Sequence, residues 1–327
     1  MRIDGGVLAL GKSGMARRGT WPHLSALPMR PETRYAKSDR DPFCGCLQSA
    51  GTEVAIMETD PYLLGRSQAE EARLRKQVEE LEGEARWLLG QLDIQPGARA
   101  IDLGCGPRGI LDLLSERVGP AGHVVGLEKS EQFVELAREF VSTRHLGNVE
   151  VLQGDAKATG LPRGSFDVGH ARLVLVNVPE PERVIAELVA LVRPGGMVAS
   201  HEADYLPHIC HPPSPAWNRL FEVYEAYSRA NGIDLFVGRK TYRMLRDAGI
   251  VDLQVKPVIH VYPHGHNRRT IFWDFIQNVR DRIVTQGLLG AAQLTDLMNA
   301  LKAHLEDPGT LVVSHLFFQV WGRKPAR

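Results

Sequence analysis

Excess charge of either sign is missing from this 327-residue chain: Lys plus Arg is 39, Asp plus Glu is 39, and the formal net charge is zero. That balance removes the long-range attraction that draws proteins to nucleic acid or to an anionic membrane. Cysteine is scarce. The four thiols, Cys44, Cys46, Cys105 and Cys210, make no disulfide framework, and a chain this long can bury a core without one. A reducing, cytoplasmic setting is expected. No apolar run approaches the ~20 residues that span a bilayer, so no integral membrane segment is expected. Val7 to Leu10 is too short an apolar cluster for a signal-peptide core. What remains is an ordinary globular mixture, 43% hydrophobic and 24% charged.

Residues 1–58 are rich in Gly, Pro, Arg and Ser and carry no sustained period, the composition of a disordered extension. Cys44-Gly-Cys46 lies there without the second ligand pair that a zinc site needs. Residues 59–327 read as the folded part. Ser67 and Glu70 form a capping box. Leu74, Val78, Leu81, Ala85, Leu88 and Leu92 then recur at spacings of four and three, one apolar stripe on one long helix. Glu71, Arg73, Arg75, Lys76, Glu79 and Glu80 fall on the other face, expected to be solvated. Residues 59–97 therefore read as an N-terminal helical cap, whose helix can also pair with a second copy in a homodimer.

Residues 98–205 alternate strand and helix. The strands are Ala100 to Leu103, His123 to Leu127, Val149 to Leu152, one within Phe166 to Val176, and Met197 to Ser200. The helices are Ile110 to Val118, Ser130 to Val141 and Glu180 to Val192. This alternation predicts a parallel sheet with helices on both faces. Residues 206–327 read as a substrate lid and C-terminal strands. Their helices are expected over Trp217 to Ala230, Lys240 to Ala248, Ile271 to Thr285 and Leu294 to Leu305, and their strands over Val251 to Tyr262 and Thr310 to Trp321.

The informative stretch is Ile101-Asp-Leu-Gly-Cys-Gly-Pro-Arg-Gly109, a strand running through a glycine-rich turn into a helix. Gly104 and Gly106 let the backbone turn sharply and approach a ligand, and the helix start offers free amides. Gly104, Gly106 and Gly109 also satisfy the dinucleotide fingerprint, so later residues must decide the cofactor. Asp102 sits where a carboxylate reaches an amino group, a charge that a pyrophosphate would not welcome. Glu128 ends the second strand, where it can accept from both ribose hydroxyls. Gly154-Asp155-Ala156 follows the third strand, and Asp155 can accept from an adenine amino group.

With these motifs the chain resembles the class I S-adenosylmethionine-dependent methyltransferases, and within them the small-molecule enzymes related to the ubiquinone and menaquinone C-methyltransferases. The resemblance runs from about Tyr62 to Tyr205. It implies an α/β Rossmann-like fold: a mostly parallel seven-stranded sheet with helices on both faces and helical lid insertions. It implies S-adenosyl-L-methionine as cofactor and a small methyl acceptor as partner. It places Gly104, Cys105, Gly106, Glu128, Asp155 and Ala156 on the cofactor, with Lys129 and Gly154 as their neighbours. Arg172 and Leu173 would run beside the methyl donor, and Tyr62 and Arg66 would cover it. Two departures stand out: the third loop glycine is displaced by Arg108 to Gly109, and Glu128 replaces the more frequent Asp.

Methyl transfer from a sulfonium needs positioning and water exclusion more than acid–base chemistry. A base is useful when the acceptor must lose a proton. His201, Glu202 and Asp204, at the end of the fifth strand, are the candidates for that role. His260, His264 and His266 lack a fourth ligand nearby, and no metal is expected. The expected function is therefore methyl transfer to a small, apolar or aromatic molecule. The competing readings are a binding protein on the same fold, a nucleic-acid or protein methyltransferase, and a nicotinamide-dependent oxidoreductase. Against the last two stand the segment His170-Ala-Arg-Leu173, which lacks the prolines of amino-methylating enzymes, and Asp102 with Asp155.

Overall fold

The computed structural model describes residues 68–206 and 208–326. The expected extension 1–58, the capping serine Ser67, and Tyr62 and Arg66 lie outside them. The first finding concerns the cap. In place of one long helix there are two, α1 (Gln68–Glu80) and α2 (Glu82–Leu89), with Leu81 between them at φ −91° and ψ 8°. Gly83 follows two residues later, and glycine inside a helix lowers the cost of leaving helical geometry. Leu81, Ala85, Leu88 and Leu92 are all buried within the same chain. The stripe offered above for pairing with a second copy is thus consumed internally.

The sheet follows from alternating apolar runs. β1 (Arg99–Leu103), β2 (His123–Glu128), β3 (Val149–Gln153), β4 (Phe166–Arg172) and β5 (Val192–Asp204) run parallel. Two further strands, β7 (Val251–Val258) and β10 (Leu316–Arg323), continue the sheet antiparallel, in the order β3-β2-β1-β4-β5-β10-β7. Successive residues divide between two cores, Ala100 from Ile101, Val124 from Val125, Ala199 from Val198, as a period of two requires. Helices α2, α3 (Leu111–Val118) and α4 (Glu131–Thr143) cover one face. Helices α5 (Pro181–Leu191) and α7 (Gly238–Asp247) cover the other. Ser130 caps α4 by accepting from the Phe133 amide, as its position predicts.

Above the strand ends, α6 (Pro215–Ala230), α8 (Ile271–Thr285) and α9 (Ala291–Glu306) pack together through Trp217, Tyr224, Phe272 and Leu301. A small separate sheet is formed by β6 (Ile209–His211), β9 (Leu311–Val313) and β8 (Val261–Tyr262). The two long C-terminal strands expected from sequence are therefore each broken in two, because their first or last residues leave the main sheet for the small one. Among the described residues no helix is long and apolar enough to cross a membrane.

Candidate active site

The strand order reverses between β1 and β4, and there the carboxyl ends of the strands open a crevice. A cavity occupies it. Asp102, Gly104, Cys105, Gly106, Glu128, Lys129, Gly154, Asp155, Ala156, Arg172 and Leu173, every described residue assigned above to the cofactor, line that one cavity.

The glycine loop is tied to the neighbouring strand by the Gly104 and Cys105 amides, which donate to the Leu127 carbonyl at 2.7 and 3.1 Å. Gly104, Gly106 and Gly109 all have positive φ, at +66°, +58° and +56°. Gly109 has no room for a Cβ, which would stand 2.8 Å from the Cys105 carbonyl oxygen and closer still to the Asp102 carboxylate. The glycine displaced by Arg108 is thus the one the loop needs most. Burial first, and then the Asp102 and Glu128 carboxylates, push the Cys105 thiol up.

Three carboxylates line the cavity and each is held. Asp102 takes His170 Nδ1 at 2.7 Å and the Ile110 amide at 3.2 Å. Glu128 accepts from the Gly106 amide at 3.0 Å and the Ser130 amide at 2.8 Å, which fixes it between the loop and α4. Asp155 pairs with Lys129 at 2.8 Å and accepts from the Lys157 amide. Burial raises its carboxyl, but these bonds outweigh burial and hold it below the usual range. Arg172 donates to the Gly109 carbonyl at 3.1 Å, while its Nη1 is buried and has no hydrogen-bond partner among the described residues.

Leu173 lies at φ +55°, uncommon for a residue with a branched side chain. The turn Leu175–Asn177 follows it and is held from behind by Glu202, whose carboxyl accepts from the Val174, Leu175 and Val176 amides at 3.0, 3.1 and 3.3 Å. This corrects the assignment of Glu202 as a base. β5 runs on to Asp204 instead of ending at Ser200, so His201 to Asp204 are fully buried within the sheet. Asp204 is likewise taken, by Arg239 at 2.5 and 2.6 Å and by the Leu206 amide. His201 is buried edge-on to Phe317, with burial holding it well below the usual histidine range. None of the three lines the cavity.

Glu202 carries a pH prediction. Burial outweighs its amide bonds and raises its pKa to about 8, against ~4.3 for an unfolded glutamate. Between those values the unfolded chain releases a proton that the folded chain keeps. Stability contributed by this group is therefore complete below the lower value and lost as pH rises to the upper. Melting temperatures at pH 5 and pH 8 should show Glu202→Gln flattening the decline seen in the parent chain. Parallel declines would refute the assignment.

Phe133 and Arg73 are among the lining residues that sequence reasoning did not assign to the cofactor. Phe133 sits three positions past the Ser130 cap, where a first-turn side chain faces back over the strand ends. Arg73 was read as solvated, yet it is 6% exposed, forked onto Glu70 at 2.6 and 2.7 Å, and 5.2 Å from the Phe275 ring centroid. The Glu70-x-x-Arg73 spacing was the available signal. Glu80 is also drawn inward, to Arg268. Of the three lid histidines, His260 stacks on Tyr262 3.4 Å from Glu84, and His266 accepts from the Arg268 amide. Among the described residues no cluster of three or more ligands is arranged for a metal.

Residues 94–249 match a family model described as a methyltransferase domain. The demethylmenaquinone methyltransferase of Geobacillus kaustophilus is 33% identical over 186 residues, 52% of this chain and 78% of that enzyme. An uncharacterized 37.1 kDa protein in transposon TN4556 of Streptomyces fradiae is 32% identical over 246 residues, 73% of this chain. The chain spans 65% of that relative's length, just under two thirds. Among solved structures, the YcgJ protein of Bacillus subtilis aligns with a TM-score of 0.49 at 14% identity, over 73% of this chain and 97% of that one.

Proposed function

The chain belongs to the class I S-adenosylmethionine-dependent methyltransferases, and from that premise we propose that it methylates a small, apolar or aromatic molecule. One observation carries the reading: the glycine loop, the acid after β2 and the Gly-Asp-Ala turn after β3 meet at one cavity at the switch point of the sheet. The residues present fit S-adenosyl-L-methionine. Glu128 stands at the end of β2, where a diol would be recognised, and Asp155 with Phe133 and Ala156 offers an acceptor and apolar walls for adenine. The buried, unpartnered Arg172 Nη1 suits the methionine carboxylate. The positive-φ glycines leave the backbone open to close approach.

The cofactor supplies a methyl group on a sulfonium, already a good leaving group. This chain's residues bind and orient. The loop and Glu128 form one wall, while Leu173 and Val174, clamped by Glu202, form the opposite one. Zero net charge speaks against nucleic acid as acceptor, and demethylmenaquinone, named for one relative, is a molecule of the proposed class. Cys105 and Cys210 are both free thiols, which supports a reducing, cytoplasmic setting.

The test is turnover. Methyl-labelled S-adenosylmethionine with a panel of neutral aromatic and isoprenoid acceptors should give a labelled product and stoichiometric S-adenosylhomocysteine. Asp155→Ala should raise KM for the cofactor about tenfold, the loss of one charge-assisted hydrogen bond, with a smaller effect on kcat. Tight binding of S-adenosylhomocysteine with no turnover on any acceptor would favour a binding protein instead.

A further inference from the structure

Besides the residues that fit S-adenosylmethionine, the cavity is lined from α1 by Leu74, Gln77 and Val78, and from the segment after β4 by Asn177, Val178 and Pro179. Two of these are amides, and each is anchored at one end. Arg73 Nη1 donates to Gln77 Oε1 at 2.7 Å. Asn177 Nδ2 donates to the Leu173 carbonyl at 2.7 Å. A guanidinium can only donate and a carbonyl can only accept, so these partners fix which way each amide faces. Gln77 Nε2 and Asn177 Oδ1 are left over, and neither has a hydrogen-bond partner among the described residues.

Both mounts are firm. Arg73 is forked onto Glu70, which also accepts from Asn278 of α8 at 2.7 Å. Asn177 ends the turn Leu175–Asn177, its backbone amide donating to the Val174 carbonyl at 3.0 Å, and Glu202 holds that turn from behind. Groups fixed before binding lose little freedom when a ligand arrives. Among the described residues Arg73 is the one charged lining residue on these two walls, and Glu70 offsets its charge. The other charged lining residues lie at the ends of β1, β2 and β4 and on the turn after β3. The two walls thus present one fixed neutral donor, one fixed neutral acceptor and otherwise apolar surface. An anionic group would be desolvated there without a counter-charge of its own.

A hydroxyl can donate or accept, so either amide alone satisfies it. A carbonyl oxygen and an N–H have fixed roles, and a molecule carrying both engages both amides. We propose that Gln77 and Asn177 select the methyl acceptor, Gln77 donating to a carbonyl oxygen and Asn177 accepting from an N–H, so that the substrate is an uncharged, amide-bearing molecule with an apolar body. The proposal rests on the methyl-transfer reading above and names the acceptor class for it.

The test uses the full chain saturated with S-adenosylhomocysteine and three bicyclic probes: 2-quinolone, coumarin, in which a ring oxygen replaces the N–H, and quinoline-2-carboxylate. Dissociation constants are measured by calorimetry for the parent chain, Gln77→Met and Asn177→Leu. The parent should bind 2-quinolone about tenfold tighter than coumarin, which leaves the Asn177 oxygen unpaired, and at least as much tighter than the carboxylate. Asn177→Leu should bring 2-quinolone to within about twofold of coumarin. Gln77→Met should weaken 2-quinolone and coumarin alike, by about tenfold, because both carry the carbonyl. Both variants should still bind S-adenosylhomocysteine. Absence of 2-quinolone binding, equal binding of coumarin, a preference for the carboxylate, a quinolone preference that survives Asn177→Leu, or indifference to Gln77→Met would each overturn the proposal. Should either variant fail to fold, the parent's preference and the other variant decide. Failure of S-adenosylhomocysteine to bind the parent would instead sink the methyltransferase reading.

Discussion

Gly109→Ala is expected to lose about tenfold or more in affinity for S-adenosylhomocysteine and to melt at a lower temperature. Two costs combine. A side chain in the left-handed region costs ~1–2 kcal/mol, and ~1.4 kcal/mol is already tenfold. The new Cβ would also stand 2.8 Å from the Cys105 carbonyl oxygen and against the Asp102 carboxylate. Neither neighbour can yield cheaply, since one is backbone and the other is pinned between His170 and the Ile110 amide. Gly106→Ala is the control. It has nearly the same φ, but nothing lies within 4 Å of its added Cβ, so it bears only the conformational cost. Calorimetric titration of both should rank Gly109→Ala clearly the worse. Equal losses would mean that packing against Asp102 does not shape the loop.

Arg268→Ala should destabilise the fold by about 3–5 kcal/mol, the usual cost of leaving a buried charge without its partner. Arg268 is 2% exposed and its pair Glu80 is 9% exposed, with nitrogen and oxygen 2.5 Å apart. The pair fastens the cap helix α1 to the segment leading into α8. Tyr262 shares the site, its hydroxyl pushed up by burial and then by the Glu80 charge. Removing both charges together, as Glu80→Leu with Arg268→Met, should cost much less than Arg268→Ala alone, because apolar replacements leave no orphan. Urea denaturation of the three chains measures this. A double variant as unstable as the single one would contradict the account.

How much of this was legible beforehand depended on how local each signal is. The Ser130 cap acts on an amide three residues away, and the glycine loop, Glu128 and Asp155 sit in short motifs at strand ends whose resemblance to the methyltransferase family assigned them to one cofactor. Helix α8 is bounded as its periodicity predicts, Ile271–Thr285. The assignments that failed depended on distant parts of the chain. Glu202 was read as a strand-end acid because Met197 to Ser200 carried the obvious apolar signal. β10, more than a hundred residues later, pairs with β5 as far as Asp204 and turns that acid inward. In a strand each step of one residue changes the face, and nothing in the local sequence says which face will be covered. Arg73 was misread for the same kind of reason. The stripe on α1 gives one buried face, while α8 and Asn278, which donates to Glu70 at 2.7 Å, supply a second.

The central claim is that the cavity between β1 and β4 holds S-adenosylmethionine. Calorimetric titration of the parent chain with S-adenosylmethionine, S-adenosylhomocysteine and the oxidised and reduced nicotinamide cofactors tests it most directly, beside a Glu128→Ala variant. The account predicts one-to-one binding of the two adenosyl compounds only, weakened at least tenfold in the variant, as expected when a carboxylate that accepts charge-assisted hydrogen bonds is removed. Binding of a nicotinamide cofactor instead, or adenosyl binding indifferent to Glu128, would contradict it.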